Sequence, residues 1–357
     1  MNRLRVAYAA AFGASALVAI VAAVVIITSP GSIGDVDDYE PPASPSGDPI
    51  LIGVAQGESP ETIGSNLEEL GVIESGDQFE VLVSLMGFDR ILQAGEYEFG
   101  RGTPALEVIY RMRRGIVATK SVTVVEGWRL DQIADAVAAQ GIDRAEFIAA
   151  AGSRAYDYQF VQELPEGATL EGYLYPATYT VLASETPHDL VQRMLQTFAD
   201  NLQEGIRDDA AVYGLTLHDV VTIASIIERE ARVEEEKPIM AQVFLTRLRV
   251  GIALAADPTV QYAITAEPAS VDQFGYWKPG LTLDDLAYDS PYNTYVYQGV
   301  PPGPIASPSA SSITAVVQPS DTNYLYFVAK PDGSHAFAET LDEHIANIEM
   351  YQTGGGE

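Results

Sequence analysis

The chain has 357 residues, room for about two domains, and is 47% hydrophobic against 20% charged, so it can bury a core and is not wholesale disordered. Fifty Asp and Glu against twenty Lys and Arg leave a formal charge of −30, which excludes a conventional electrostatic grip on nucleic acid phosphates. The absence of cysteine excludes disulfide scaffolds, thiol nucleophiles and Cys-based zinc sites. The four histidines, His188, His218, His335 and His344, do not recur at a metal-ligand spacing, so neither metal nor cofactor is expected.

The charge is unevenly placed. Arg3 and Arg5 lie at the N-terminus, and every acid lies beyond Thr28. Val6–Thr28 is 23 residues without a charge, long enough at ~1.5 Å per residue to cross a ~30 Å hydrocarbon core. Residues 6–28 therefore read as a single transmembrane helix. The competing reading is a cleaved signal peptide, but the run exceeds the ~7–15 residues of an h-region and lacks a small-x-small site at its end. The positive-inside rule puts residues 1–5 in the cytoplasm as a stub and the acidic body outside, anchored to the cell membrane. Residues 29–49 are rich in Pro, Ser, Gly and Asp, a tether that extends to roughly 70 Å at ~3.3 Å per residue.

Beyond the tether, Gly57, Ile63, Leu67 and Gly71 recur at identical spacing as Gly127, Ile133, Val137 and Gly141, after the β-prone runs Leu51–Val54 and Val122–Val125. Each unit reads as strand, tight turn, amphipathic helix and terminating glycine. Phe79–Met86 reads as helical and Leu92–Phe99 as a strand pair turning at Ala94-Gly95. Thr103-Pro104 reads as an N-cap with Pro at N1 of a helix ending at Gly115. Helices are then expected at Leu190–Leu202, at Leu217–Arg232 with Thr216 as cap, and at Lys237–Val250, closed by Gly251. Asp257-Pro258 reads as a cap and N1 pair, and Tyr324–Ala329 as a late strand. The fold class is α+β.

The helix Leu217–Arg232 carries the candidate chemistry. On a 3.6-residue period Glu228 shares a face with Val221, Ala224, Ser225 and Ala231, whereas Glu230 lies with Ile223, Ile226 and Ile227. Small residues around Glu228 leave room for a ligand, and apolar neighbours favour the protonated carboxyl that a general acid needs. The plainer reading is two surface glutamates. Glu230, if buried on the Ile face, needs a partner such as Arg247.

Five blocks in order, Leu170–Tyr179 (LEGYLYPATY), Val221–Ala231 (VTIASIIEREA), Val243–Ile264, Ser290–Pro308 and Tyr324–Thr340, resemble the signature blocks of the MltG/YceG-like endolytic murein transglycosylases. The resemblance covers most of residues 50–350. It implies LysM-like βα modules ahead of a helix-rich α+β catalytic domain: one module at 50–119, a second with the start of the catalytic region at 120–180, the transglycosylase domain at 181–350 and a tail at 351–357. It carries the catalytic acid onto Glu228. The implied reaction cleaves the β-1,4 bond between N-acetylmuramic acid and N-acetylglucosamine and closes a 1,6-anhydro ring without water, one carboxyl serving as acid and then base.

Supporting roles in substrate binding fall to Tyr292, Asn293 and Tyr295 for sugar stacking and N-acetyl recognition, with packed-loop roles as the alternative. Asp257 is either a helix cap or a ligand, Glu171 an acid that tertiary structure brings near, and His335 either a sugar contact or a surface residue. Pro301–Pro304 reads as a rigid cleft wall, and His188, His218 and His344 as structural or exposed. The chain departs from the family pattern at Ala177, Thr246, Ala255, Ser307 and Ser309. The implied partners are peptidoglycan strands and the polymerases of the elongation machinery. A non-catalytic peptidoglycan-binding scaffold is the alternative.

Overall fold

The computed structural model describes residues 49–353 apart from 116, 118, 183 and 184; the expected membrane helix at 6–28, the tether up to residue 48 and the last four residues lie outside the described residues. Two compact units are delimited, Met1–Ala118 and Thr119–Glu357.

The first unit begins with β1 (Ile50–Val54), which ends before Gly57 at φ +79°. Ser59 then caps α1 (Pro60–Glu69), its hydroxyl accepting the Thr62 N–H. Gly71, at φ +73°, turns the chain toward α2 (Gly76–Leu85), and β2 (Gly95–Phe99) returns antiparallel to β1 with Ile52 opposite Tyr97. The hairpin expected within Leu92–Phe99 is thus a single strand, because its partner lies some forty residues earlier. Helix α3 (Ala105–Arg114) ends at Gly115 in the left-handed region, as expected. Its N-cap is Pro104 rather than Thr103, whose hydroxyl instead donates to the Gly100 carbonyl. Ile52, Leu67, Phe79, Tyr97 and Val108 share this unit's core.

The second unit opens with the same order. Strand β3 (Thr119–Thr123) is followed by Gly127 at φ +74°, α4 (Leu130–Ala139), Gly141 at φ +78° and α5 (Arg144–Ala151). After α6 (Gln159–Gln162), β4 (Thr178–Leu182) pairs antiparallel with β3. Ile63 and Leu67 in one run, and Ile133 and Val137 in the other, are all buried, as one helix face at i and i+4 requires. This run, which differs from the first by the extra short helix α6, shares one hydrophobic core with the helices that follow, since Val122, Ile133 and Phe147 pack in the same cluster as Val220, Phe244 and Val316.

Those helices are α7 (Pro187–Asn201), α8 (Ile206–Val212), α9 (Leu217–Glu230), α10 (Lys237–Val250), α11 (Asp257–Ile264), α12 (Pro268–Phe274), α13 (Leu283–Leu286) and α14 (Ala310–Val317). Strands β5 (Tyr326–Ala329) and β6 (His335–Ala338) form an antiparallel pair before α15 (Leu341–Ile348). The architecture is α+β, helix-rich with small two-stranded sheets.

Helix α9 runs against propensity, because Val220–Ile227 is mostly β-branched. Two things make it helical. Thr216 and Asp219 form a capping box, and every residue from Val220 to Ile227 is buried. Burial of a helix on all sides outweighs a propensity deficit of a few tenths of a kcal/mol per residue. Helix α10 runs from Lys237 to Gly251, at φ +72°, as the sequence predicts. At α11 the cap is Ala256, so Asp257 occupies the first helical position. Among the described residues no single helix is long and apolar enough to cross a membrane; α8 and α9 reach that length only as a pair bent by 83°.

Truncating either repeat's buried helix face creates a cavity. Leu67→Ala and Ile133→Ala are each expected to destabilise the protein by about 2–5 kcal/mol, read as a lower denaturation midpoint in urea. A loss below about 1 kcal/mol at both positions would contradict the packing described.

Candidate active site

Glu228 lies in the last turn of α9 with its side chain 9% exposed. One carboxylate oxygen, Oε2, collects the donors. It accepts the Ser309 N–H at 2.9 Å, the Ser309 hydroxyl at 2.5 Å and the Ser312 hydroxyl at 2.6 Å, and the Lys237 ammonium stands 3.5 Å away. Among the described residues no hydrogen bond reaches Oε1. The donors belong to the N-terminus of α14, where Ser309 is the N-cap and the unpaired N–H groups and helix dipole favour negative charge.

The small residues of α9 explain how that terminus comes so close, and they correct the sequence reading. Val221, Ala224 and Ser225 leave no room for a ligand, since all three are buried and Ser225 Oγ accepts the Ile305 N–H at 3.0 Å. The surroundings of the carboxylate are hydroxyls, an N–H and an ammonium rather than the apolar groups expected.

On another side stands the turn between β3 and α4. The Gly127 N–H donates to the Ser307 carbonyl and the Ser307 N–H to the Trp128 carbonyl, each at 2.8 Å. Gly127 is required here, because its φ is +74° and a Cβ would sit 3.2 Å from Arg229 Nη1. The neighbouring Glu126 is exposed, and its carboxyl is pushed above the usual range by desolvation and then by Glu228, with Lys237 opposing. The Arg229 guanidinium lies 4.0 Å over the Trp277 ring, and Arg129 lies 4.3 Å over Tyr262.

Glu230 does point away from Glu228. It is pushed up to about 8 by desolvation and by the Asp257 carboxylate, opposed by the Asp257 backbone N–H it accepts. Arg247 is not its ion-pair partner: that guanidinium donates to the Leu325 and Leu254 carbonyls, at 2.7 and 2.6 Å. Asp257 Oδ1 accepts the Tyr295 hydroxyl at 2.6 Å, so these two predicted residues meet beside Glu230. Tyr292 packs its ring 4.9 Å from that of Tyr262.

Asn293 is fully buried and braces its loop, its amide donating to the Leu286 and Tyr288 carbonyls and its oxygen accepting the Tyr295 N–H. Glu171 is buried and accepts the Leu130 N–H at 2.9 Å, at the start of α4. His335 is buried on β6, paired through Nδ1 with Glu236 Oε2 at 2.7 Å. Of the proline loop, Pro304 lies against Gly172, whose Cβ would come within 2.4 Å of it, and the Pro302 carbonyl meets His218 Nε2 at 3.0 Å. His218 Nδ1 in turn lies 2.9 Å from the Tyr173 hydroxyl. The signature blocks therefore converge on one another, while the acids near Glu228 are neither Asp257 nor Glu171 but Glu126 and, across the Lys237 ammonium, Glu234.

Sequence reasoning missed Lys237, Ser312 and Glu126, and treated Ser309 only as a departure. The run Ser-Pro-Ser-Ala-Ser-Ser at 307–312 was a legible cap signal, but nothing in it names Glu228 as its partner.

Glu171 makes stability pH-dependent. Its carboxyl is raised from 4.5 to about 8 by desolvation, with Arg129 opposing, so between those values it is protonated when folded and ionised when unfolded. The stabilisation is complete below 4.5 and is lost as pH rises to about 8. The melting temperature is expected to fall between pH 5 and 9, and Glu171→Gln to flatten part of that slope; an unchanged slope in the variant would overturn the assignment.

The YceG-like family matches residues 52–350. The chain is 32% identical over 332 residues to the endolytic murein transglycosylase of Bacillus subtilis (strain 168), covering 89% of each protein. To the endolytic murein transglycosylase of Streptococcus pneumoniae serotype 2 it is 28% identical over 326 residues, 84% of this chain and 58% of the streptococcal one. The crystal structure of a yceG-like protein from Listeria monocytogenes is similar at a TM-score of 0.55 and 31% identity, covering 84% of this chain and 98% of that one. With nearly all of the described residues matched, the chain belongs to the YceG-like family.

Proposed function

We propose that the protein is an endolytic murein transglycosylase in which Glu228 is both acid and base. The observation that carries this reading is the one-sided anchoring of its carboxyl: Oε2 is held by Ser309 and Ser312, and Oε1 carries no hydrogen bond among the described residues. A proton on Oε1 passes to the glycosidic oxygen between N-acetylmuramic acid and N-acetylglucosamine, the C1–O bond breaks with its electron pair leaving on oxygen, and C1 becomes oxocarbenium-like. The ionised Oε1 then takes the proton of the muramyl C6 hydroxyl as O6 bonds to C1. Atoms balance without water, and Glu228 ends protonated. The names borne by the Bacillus and Streptococcus relatives support the substrate class.

The two runs that open with strand, helix and helix are read as LysM-like modules that help the catalytic region engage glycan. Residues 6–28 are read as an anchor that keeps the enzyme at the outer face of the cell membrane, where it trims nascent strands beside the peptidoglycan polymerases and terminates their elongation. Glu126 favours a second reading, a hydrolase, because a two-carboxylate mechanism needs an acid beside the first.

Digestion of purified glycan strands followed by mass spectrometry separates these readings. 1,6-Anhydromuramyl ends are expected from the wild type, with at least a hundredfold loss in Glu228→Gln. Reducing ends would establish the hydrolase, and glycan binding without cleavage a scaffold.

A further inference from the structure

Lys237 breaks two local rules at once. It occupies the first position of α10, where the helix dipole disfavours a cation, and its side chain is 3% exposed, where an ammonium is costly unless compensated. Its compensation is specific. The Nζ group donates to Glu234 Oε1 at 2.5 Å, Ser311 Oγ at 2.9 Å and Ser309 Oγ at 3.1 Å, which uses all three of its protons. The Ser309 hydroxyl donates its own proton to Glu228 Oε2 at 2.5 Å, and the ammonium itself is 3.5 Å from that oxygen. The charges facing this point are Glu126, Glu228 and Glu234 against Lys237 and Arg229. Without Lys237 acids outnumber cations there by three to one.

Resting on the reading of Glu228 as acid and base, we propose that Lys237 is a positioning residue for the reaction. Through Ser309 and through its own charge it fixes Oε2 and holds the carboxylate that has given up its proton, so that Oε1 alone makes both proton transfers. An interaction that grows as Glu228 becomes negative acts on the barrier rather than on substrate affinity. The bonds that form and break are those already described, and Lys237 exchanges no proton with substrate.

The test compares full-length wild type, E228Q, K237M, K237Q and K237R by rate of anhydro-end formation across substrate concentration, per folded molecule as judged by thermal melting. K237M is expected to lower kcat at least tenfold with KM within about twofold. K237Q, which keeps hydrogen-bond donors without charge, is expected to stay near K237M, and K237R to recover at least fivefold over both. If K237M does not fold, the comparison of K237Q with K237R decides. Equal kcat in K237Q and K237R, or wild-type kcat in K237M or K237Q while E228Q is inactive, would overturn the role of Lys237 alone. Wild-type activity in E228Q would overturn the catalytic reading beneath it.

Discussion

The contact between the Glu228 carboxylate and the N-terminus of α14 is the interaction on which the rest of the site depends. It joins the end of a helix buried from Val220 to Ile227 to the start of another, and each supplies what the other lacks: α14 has unpaired donors and α9 delivers a carboxylate. The approach needs small residues along α9, which is why Ser225 can take the Ile305 N–H and draw the 305–312 segment inward. That segment also hydrogen-bonds the Gly127 turn, so the same peptide positions Glu126 and the donors of Glu228 together.

The cations deepen this picture. In a chain with a large acid excess, Arg129, Lys237 and Arg247 are buried, and each donates to carbonyls, hydroxyls or a carboxylate, although Arg129 Nε has no hydrogen-bond partner among the described residues. Arg129 and Arg247 fasten loops through backbone carbonyls, a role for which a rigid fork of donors suits arginine. Lys237 is different because its partners lead to Glu228. Of these three buried cations, Lys237 alone is ion-paired to a carboxylate among the described residues.

Much of the fold was legible in the sequence. The duplicated spacing of Gly57, Ile63, Leu67 and Gly71 corresponds to two runs that share a strand–helix–helix order before α6 is added in the second, because a left-handed glycine and an i, i+4 apolar pair are local constraints. Thr216, Lys237 and Gly251 marked helix ends correctly for the same reason. Strand pairing was less legible. The residues near Gly95 look like a local hairpin, and only the presence of β1 to pair with decides otherwise.

The sequence by itself determined the helical period, the glycine turns and some caps, such as Thr216 but not Thr103 or Asp257, and helical spacing put Glu228 and Glu230 on different faces. It could not determine what each face would meet. That Glu228 meets two serines and a lysine, that Glu171 serves the start of α4 and that Asp257 takes the Tyr295 hydroxyl are matters of tertiary structure. The physical reason is range: helix geometry is set by neighbours a few residues away, whereas these partners, Lys237 apart, come from segments some forty to eighty residues distant, brought together only when the core closes.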